Sequence, residues 1–270
     1  MLRFLTGAVI TAGATGTLPW ESVGLAAALW LATTITVYLL NGISDLPEDR
    51  VNGSSRPIAS GVLPLRTAAT VATMTAAAAL VGTTLVGDGW SLLFTLTMLG
   101  LGWAYSMLRK SLKRHMPGFL GTAVAGGMLT YLAGWNSIDP AGMHLEFILF
   151  GVAMSLWMGF GGATKDLSDV DGDRVAGRRS WPVMLGERRA RRAMACAAVA
   201  IGAGFATASL AVAPGLLLAG STLLVGSILV ATTALWGSSR GSRNARRRPY
   251  KIFMITQYAV HLTLCAQFSQ

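Results

Sequence analysis

Cysteine, acidic residues and interior charge are all scarce in this sequence. Only two cysteines occur. Both, Cys196 and Cys265, lie inside apolar stretches, which leaves no disulfide framework and no thiolate metal site; they read as packing residues. Charged residues make up 13% of the 270 positions against 53% apolar ones, with 32 glycines. An ordinary soluble domain is thereby excluded, because a fold of this length cannot hide that much apolar surface from water.

What is present instead is a succession of apolar stretches, each near the roughly 20 residues that cross a bilayer core as a helix. Nine spans are expected: 5–18, 23–43, 67–86, 90–108, 117–135, 145–164, 190–212, 215–236 and 250–268. The fold class predicted is an all-α integral membrane protein, a single polytopic domain over residues 1–270. The first span is short, follows Arg3 and contains Ala12, Gly13 and Ala14, so a cleaved secretory signal is its competing reading.

Lys and Arg number 22 against 12 Asp and Glu, a net charge of +10. In a soluble chain that excess would point to nucleic acid; its distribution here excludes such a partner. Apart from Arg3, the basic residues fall at four connections, 50–66, 109–114, 165–192 and 240–251. These are every second connection of a nine-helix chain. The alternate ones, around Glu21, Asp88, residues 139–146 and Ala213, hold no Lys or Arg. Positive residues mark the cytoplasmic side, so the protein is expected in the cell membrane as a multi-pass chain with its N-terminus and basic loops in the cytoplasm. The run Arg240, Arg243, Arg246, Arg247 and Arg248 is expected to anchor to anionic lipid head groups.

Eight of the 12 acidic residues share that basic side, in only two of its loops. The first, near 41–57, reads Asn41-Gly-Ile-Ser-Asp45-Leu-Pro-Glu48-Asp49-Arg50-Val-Asn52-Gly-Ser-Ser-Arg56-Pro57. The second, near 165–179, reads Lys165-Asp166-Leu-Ser-Asp169-Val-Asp171-Gly-Asp173-Arg174-Val-Ala-Gly177-Arg178-Arg179. Aligning Asp49-Arg50-Val51-x-Gly53 with Asp173-Arg174-Val175-x-Gly177 also aligns Asp45 with Asp169. The loops follow the second and sixth spans, which predicts pseudo-repeated halves surrounding a central cavity.

Residues four apart on a helix share a face. If helix continues through these loops, each carboxylate pair points one way at the mouth of the bundle, where like charges repel and are poorly solvated. A divalent cation relieves both penalties, and oxygen-only ligands suit Mg²⁺, which binds through one or two carboxylates plus substrate phosphates. The ligand implied is a phosphate or diphosphate, with Arg56, Lys113, Lys165 and Arg178 on the same side to hold its remaining oxygens. The competing reading is a solvated loop in which Asp and Arg pair with each other, but surface ion pairs need no repeated spacing. An EF-hand reading of Asp169, Asp171 and Asp173 fails, because Arg174 stands where Gly is needed and Ser180 where the bidentate Glu is needed. A phosphatidyltransferase reading fails because no Ala-Arg pair follows Asp171-Gly172 at the required place.

At these residues the chain resembles the UbiA superfamily of intramembrane prenyltransferases. That superfamily carries Asn-x-x-x-Asp-x-x-x-Asp after helix two, matched by Asn41, Asp45 and Asp49, and a second Asp-rich motif after helix six, matched by Asp166, Asp169 and Asp173. Arg56-Pro57 and Tyr105-Ser106, then Leu112-Lys113-Arg114, match two further habits of the family. The chain departs from it at Gly42, where many members have Asp, and in a shorter N-terminus.

The resemblance implies that Mg²⁺, held by Asn41 and the five motif aspartates, grips a prenyl diphosphate. It also implies that Asp45, Asp49, Asp169 and Asp173 are catalytic, with Tyr105 and the basic residues binding substrate. The expected reaction moves an isoprenyl group from an allylic diphosphate to an acceptor, an aromatic ring, inside the membrane. A terpene cyclase of the same superfamily, which needs no acceptor, is the alternative. A carrier of phosphate compounds stands below both, because the spans lack ionisable residues apart from His261 and its neighbours. Trp103, Tyr105, Tyr131, Trp135, Trp157 and Phe160 belong to spans that would line the chamber; each taken singly reads first as packing or interfacial belt. Gln257 and His261, one turn apart, are either site residues or an interhelical hydrogen bond.

Overall fold

The computed structural model describes residues 1–16, 18–138 and 142–268. Thr17, at the end of the first expected span, and Asp139, in the expected connection 139–146, lie outside the described residues. Among the described residues no strand forms; the regular structure is helical. The α-helices are α1 (Leu2–Thr15), α2 (Trp20–Ser44), α3 (Leu46–Val51), α4 (Leu65–Val86), α5 (Gly89–Ser106), α6 (Met116–Asn136), α7 (Leu145–Gly162), α8 (Asp166–Val175), α9 (Trp181–Leu185), α10 (Glu187–Val212), α11 (Leu217–Leu235), α12 (Arg243–Arg246) and α13 (Arg248–Phe268). Among the described residues six stretches are long and apolar enough to cross a membrane: α2, α4, α6, the continuous Leu145–Val175, α10, and Pro214–Leu235. Helices α1, α5 and α13 occupy the other three expected spans without meeting that standard.

Local signals set the helix ends. Asp88 caps α5 by accepting the Ser91 N–H at 2.7 Å, which satisfies one of the orphan donors of the first turn. Gly16 closes α1 in the left-handed region (φ 72°), where glycine carries no Cβ penalty. Helices α3, α6 and α9 each place a proline in the first turn, where its missing N–H costs nothing.

Small residues then let the helices meet. A Cβ on Gly134 of α6 would overlap the Phe4 backbone of α1, and one on Gly7 of α1 would overlap the Tyr131 backbone. This close approach buries Phe4 and Ala8, so α1 is packed into the bundle. The main core joins Tyr131, Phe150, Trp157, Phe205, Leu223 and Phe253 from α6, α7, α10, α11 and α13. Burial reaches 61% along Leu145–Val175 but only 17% along α4. The former is therefore the inner helix, while α4 turns Val81, Leu85 and other apolar side chains outward. A smaller cluster, Met116, Ala163, Leu167, Ala190 and Met194, packs beneath α8 and holds it against the end of the bundle.

Candidate active site

Both acidic motifs fold as short helices continuing the long helix before them. Asp45 links α2 to α3 in right-handed helical conformation (φ −83°, ψ −3°). The ladder runs through it: the Asp45 N–H donates to the Asn41 carbonyl and the Asp49 N–H to the Asp45 carbonyl, each at 2.8 Å. Pro47 has no N–H to donate back along this ladder, which marks the joint. At the second motif a 3₁₀ turn at residues 163–165 leads from α7 into α8. Asp45 and Asp49, like Asp169 and Asp173, thus stand one turn apart. Their exposures are 6%, 8%, 7% and 1%, so the solvation that the competing reading expects is absent, although its pairing of Asp with Arg does occur.

The remainder of the shared pattern is a helix stop. Gly53 (φ 58°) and Gly177 (φ 67°) both adopt the left-handed conformation. In each loop the next residue donates back to the motif aspartate, Ser54 N–H to the Asp49 carbonyl and Arg178 N–H to the Asp173 carbonyl, both at 2.8 Å; this is the Schellman arrangement. Arg50 and Arg174 are exposed and make no ion pair with the motif carboxylates among the described residues. Gly177→Ala is accordingly expected to cost about 1–2 kcal/mol of stability through left-handed strain. It should lower the melting temperature in detergent, whereas Arg174→Ala, at an exposed site, leaves it almost unmoved. Equal melting temperatures for the two variants would contradict this assignment.

The two motifs touch. Asn52 Oδ1 accepts the Gly172 N–H at 3.0 Å, and a Cβ at Gly172 would overlap the Asn52 side chain and push it off this contact. Arg178 bridges the motifs, with Nη1 at 3.1 Å from Glu48 Oε2 and 3.6 Å from Asp173 Oδ1. The Arg179 N–H donates to the Arg114 carbonyl at 2.8 Å, tying the connection after α5 to the second motif.

All four basic connections send a cation to these carboxylates. Arg56 Nη1 lies 3.0 Å from Asp45 Oδ2 and 2.9 Å from Asp49 Oδ2. Lys113 Nζ lies 2.6 Å from Asp45 Oδ1 and 3.5 Å from Glu48 Oε1, and donates to Ser44 Oγ at 3.0 Å. Lys165 Nζ is 3.1 Å from Asp169 Oδ2, and Arg243 Nη2 is 3.0 Å from Asp169 Oδ1. Burial alone would raise the Asp45 carboxyl, but Lys113, Arg178 and Arg56 outweigh it and hold it below the usual carboxylate range. Glu48 is pushed up instead, by burial first, against Arg178 and Lys113, with Asp45 adding to the rise.

Glu48, Asn52 and Arg243 are site residues that the sequence reading missed. Glu48 lies three residues after Asp45, a helical neighbour, and that spacing was available in the sequence. Arg243 was assigned to lipid head groups; instead α12, capped by Ser242 Oγ, places it on Asp169. Tyr105, half-buried at the end of α5, lies within electrostatic reach of Arg178, Asp45 and Asp166. Among the aromatic candidates, Tyr131, Trp135 and Trp157 are buried, Phe160 packs tilted beside Trp181, and Trp103 is exposed. His261 and Tyr131 form the interhelical hydrogen bond, Nε2 to Oη at 2.6 Å.

Among the described residues no three acidic, histidine or cysteine side chains gather closely enough to enclose a metal ion; the carboxylates face cations instead. The donor set nevertheless fits a hard divalent ion. It consists of oxygens alone, and two buried ones, Asn41 Oδ1 and Asp173 Oδ2, have no hydrogen-bond partner, one on each motif.

Comparison with known proteins places this arrangement. The model of the family described as "UbiA prenyltransferase family" matches residues 2–258. Polyprenyl transferase eriF of Hericium erinaceus is 28% identical over 195 residues, covering 69% of this chain and 65% of that protein. Diterpene cyclase eriG of the same organism is 27% identical over 193 residues, covering 69% of this chain and 61% of that protein. This chain thus spans under two thirds of the length of either relative. Among solved structures, a UbiA homologue from Archaeoglobus fulgidus bound to GPP and Mg²⁺ aligns over 100% of this chain and 96% of its own, with a TM-score of 0.71 and 17% identity; at that identity the likeness speaks for the fold.

Proposed function

From the premise that this chain belongs to the UbiA prenyltransferase family, we propose that it is a Mg²⁺-dependent enzyme moving an isoprenyl group from an allylic prenyl diphosphate to an acceptor, an aromatic ring, within the membrane. In this reading all nine long helices cross the bilayer as one domain around a central cavity, and the acidic end faces the cytoplasm. The observation that carries the proposal is the convergence of cations from four connections on two buried acidic turns, joined by Arg178 between Glu48 and Asp173. A surface ion-pair network would not need burial or two like halves.

Asp45, Asp49, Asp166, Asp169 and Asp173, with Asn41, are the residues that would hold the metal; bound there, Mg²⁺ supplies neutralisation of the charge growing on a departing diphosphate. Arg56, Lys113, Lys165 and Arg178 supply charge-assisted contacts to the diphosphate oxygens, and Tyr105 stands beside them. The buried apolar helices keep water from the allylic cation. Excess chelator is expected to stop diphosphate release by the purified protein and added Mg²⁺ or Mn²⁺ to restore it; full release in chelator would contradict the metal assignment.

A second reading, cyclisation without an acceptor, is favoured by the likeness to a diterpene cyclase at 27% identity, level with the 28% to a transferase. Incubating the protein with a set of prenyl diphosphates, with and without lipophilic aromatic acceptors, separates the two. Product carrying the acceptor supports transfer, and a cyclic hydrocarbon or alcohol formed without it supports cyclisation.

A further inference from the structure

Away from the acidic turns, a cleft of about 690 Å³ opens between the start of α10 and residues 240–246, lined by Glu187, Arg188, Arg191, Arg240, Gly241 and Arg246. A recess of about 320 Å³ shares Arg188, Arg191 and Arg240 with it and adds Arg192 and Leu235. Five arginines therefore meet one carboxylate. That carboxylate is taken: Glu187 Oε1 lies 2.7 Å from Nη2 of Arg191. Arg191 is itself structural, buried and donating to the Ala234 carbonyl, Ser239 Oγ and the Ser239 carbonyl. No acidic side chain pairs with Arg188, Arg192, Arg240 or Arg246 among the described residues.

We propose that this cleft binds the head group of an anionic phospholipid. Unneutralised guanidinium groups around one opening repel each other and draw in an anion, and their planar forks match phosphate oxygens. The cleft lies where two membrane-length helices, α10 and α11, begin and end, which is head-group depth. Its wall passes directly into apolar surface: Leu235 lines the recess, and Leu235 and the adjoining Trp236 are both exposed, as befits side chains in the interfacial belt beside acyl chains. A soluble phosphate would use the arginines and leave this rim without a role. The site is more selective than a general basic surface, because Arg243 and Arg247 of the same run are engaged elsewhere, on Asp169 and over the Tyr250 ring. The inference is independent of the reaction proposed above.

The test titrates acyl-labelled phosphatidylglycerol against the full chain in phosphatidylcholine nanodiscs, read by energy transfer from tryptophan. The double variant Arg188→Ala/Arg240→Ala is expected to weaken binding roughly thirty-fold. The charge-matched control Arg109→Ala/Lys110→Ala, at exposed positions of another basic connection, is expected to bind as the unmodified protein does. Unchanged binding in the cleft variant, equal losses in both variants, or displacement of the lipid by inorganic phosphate alone would each overturn the proposal. Should the alanine variant lose helical content, Arg188→Lys/Arg240→Lys, which keeps charge without the fork, is measured instead; a smaller weakening is expected, and none would overturn the proposal.

Discussion

Asp49→Asn and Asp173→Asn are each expected to lower single-turnover diphosphate release about 10²–10³-fold, and the double variant to lose little more. Each substitution removes one charge from a buried carboxylate, Asp49 on Arg56 and Asp173 beside Arg178. If both belong to one metal-diphosphate assembly, the first loss already dismantles it, and groups acting as a unit give strongly non-additive effects. Two independent acidic turns would instead multiply their losses. Near-normal release by either single variant would defeat the shared site.

The second large effect is expected at Arg178. Removing one partner of a buried ion pair leaves an uncompensated charge, at a cost of about 3–5 kcal/mol. Arg178→Ala leaves Asp173 without its ion-pair partner and Glu48 with Lys113 alone, and removes the ion-pair link between the two motifs. A marked fall in the unfolding temperature and a raised KM for the prenyl diphosphate are expected. Arg178→Lys should recover part of the stability, since it restores charge without the two-pronged geometry. A wild-type unfolding temperature in the alanine variant would show that the two motifs are held together by other contacts.

The sequence made some of this legible. Apolar length and alternating basic connections marked where the long helices fall, because both follow from local composition. The Asp-x-x-x-Asp spacing placed each carboxylate pair on one face, because helical periodicity is also local. The pairing of Arg178 with Glu48, of Gly172 with Asn52 and of Arg243 with Asp169 was not legible: partners 130, 120 and 74 residues apart meet only through tertiary packing. The same holds for Arg191, which reads as one more loop cation and is instead buried against the end of α11. The Arg-Val-x-Gly part of the repeat aligns the two loops but carries no sign of its role in the sequence; Gly53 and Gly177 serve the backbone.

If the two motifs form one metal-dependent diphosphate site, both must be intact for the diphosphate to bind. Isothermal titration of geranyl diphosphate into the purified protein, with and without Mg²⁺, tests it most directly in the unmodified chain, Asp49→Asn and Asp173→Asn. A single diphosphate per chain is expected, bound only with the metal present and lost in both variants. Binding that ignores Mg²⁺, or that survives intact in either variant, would contradict it.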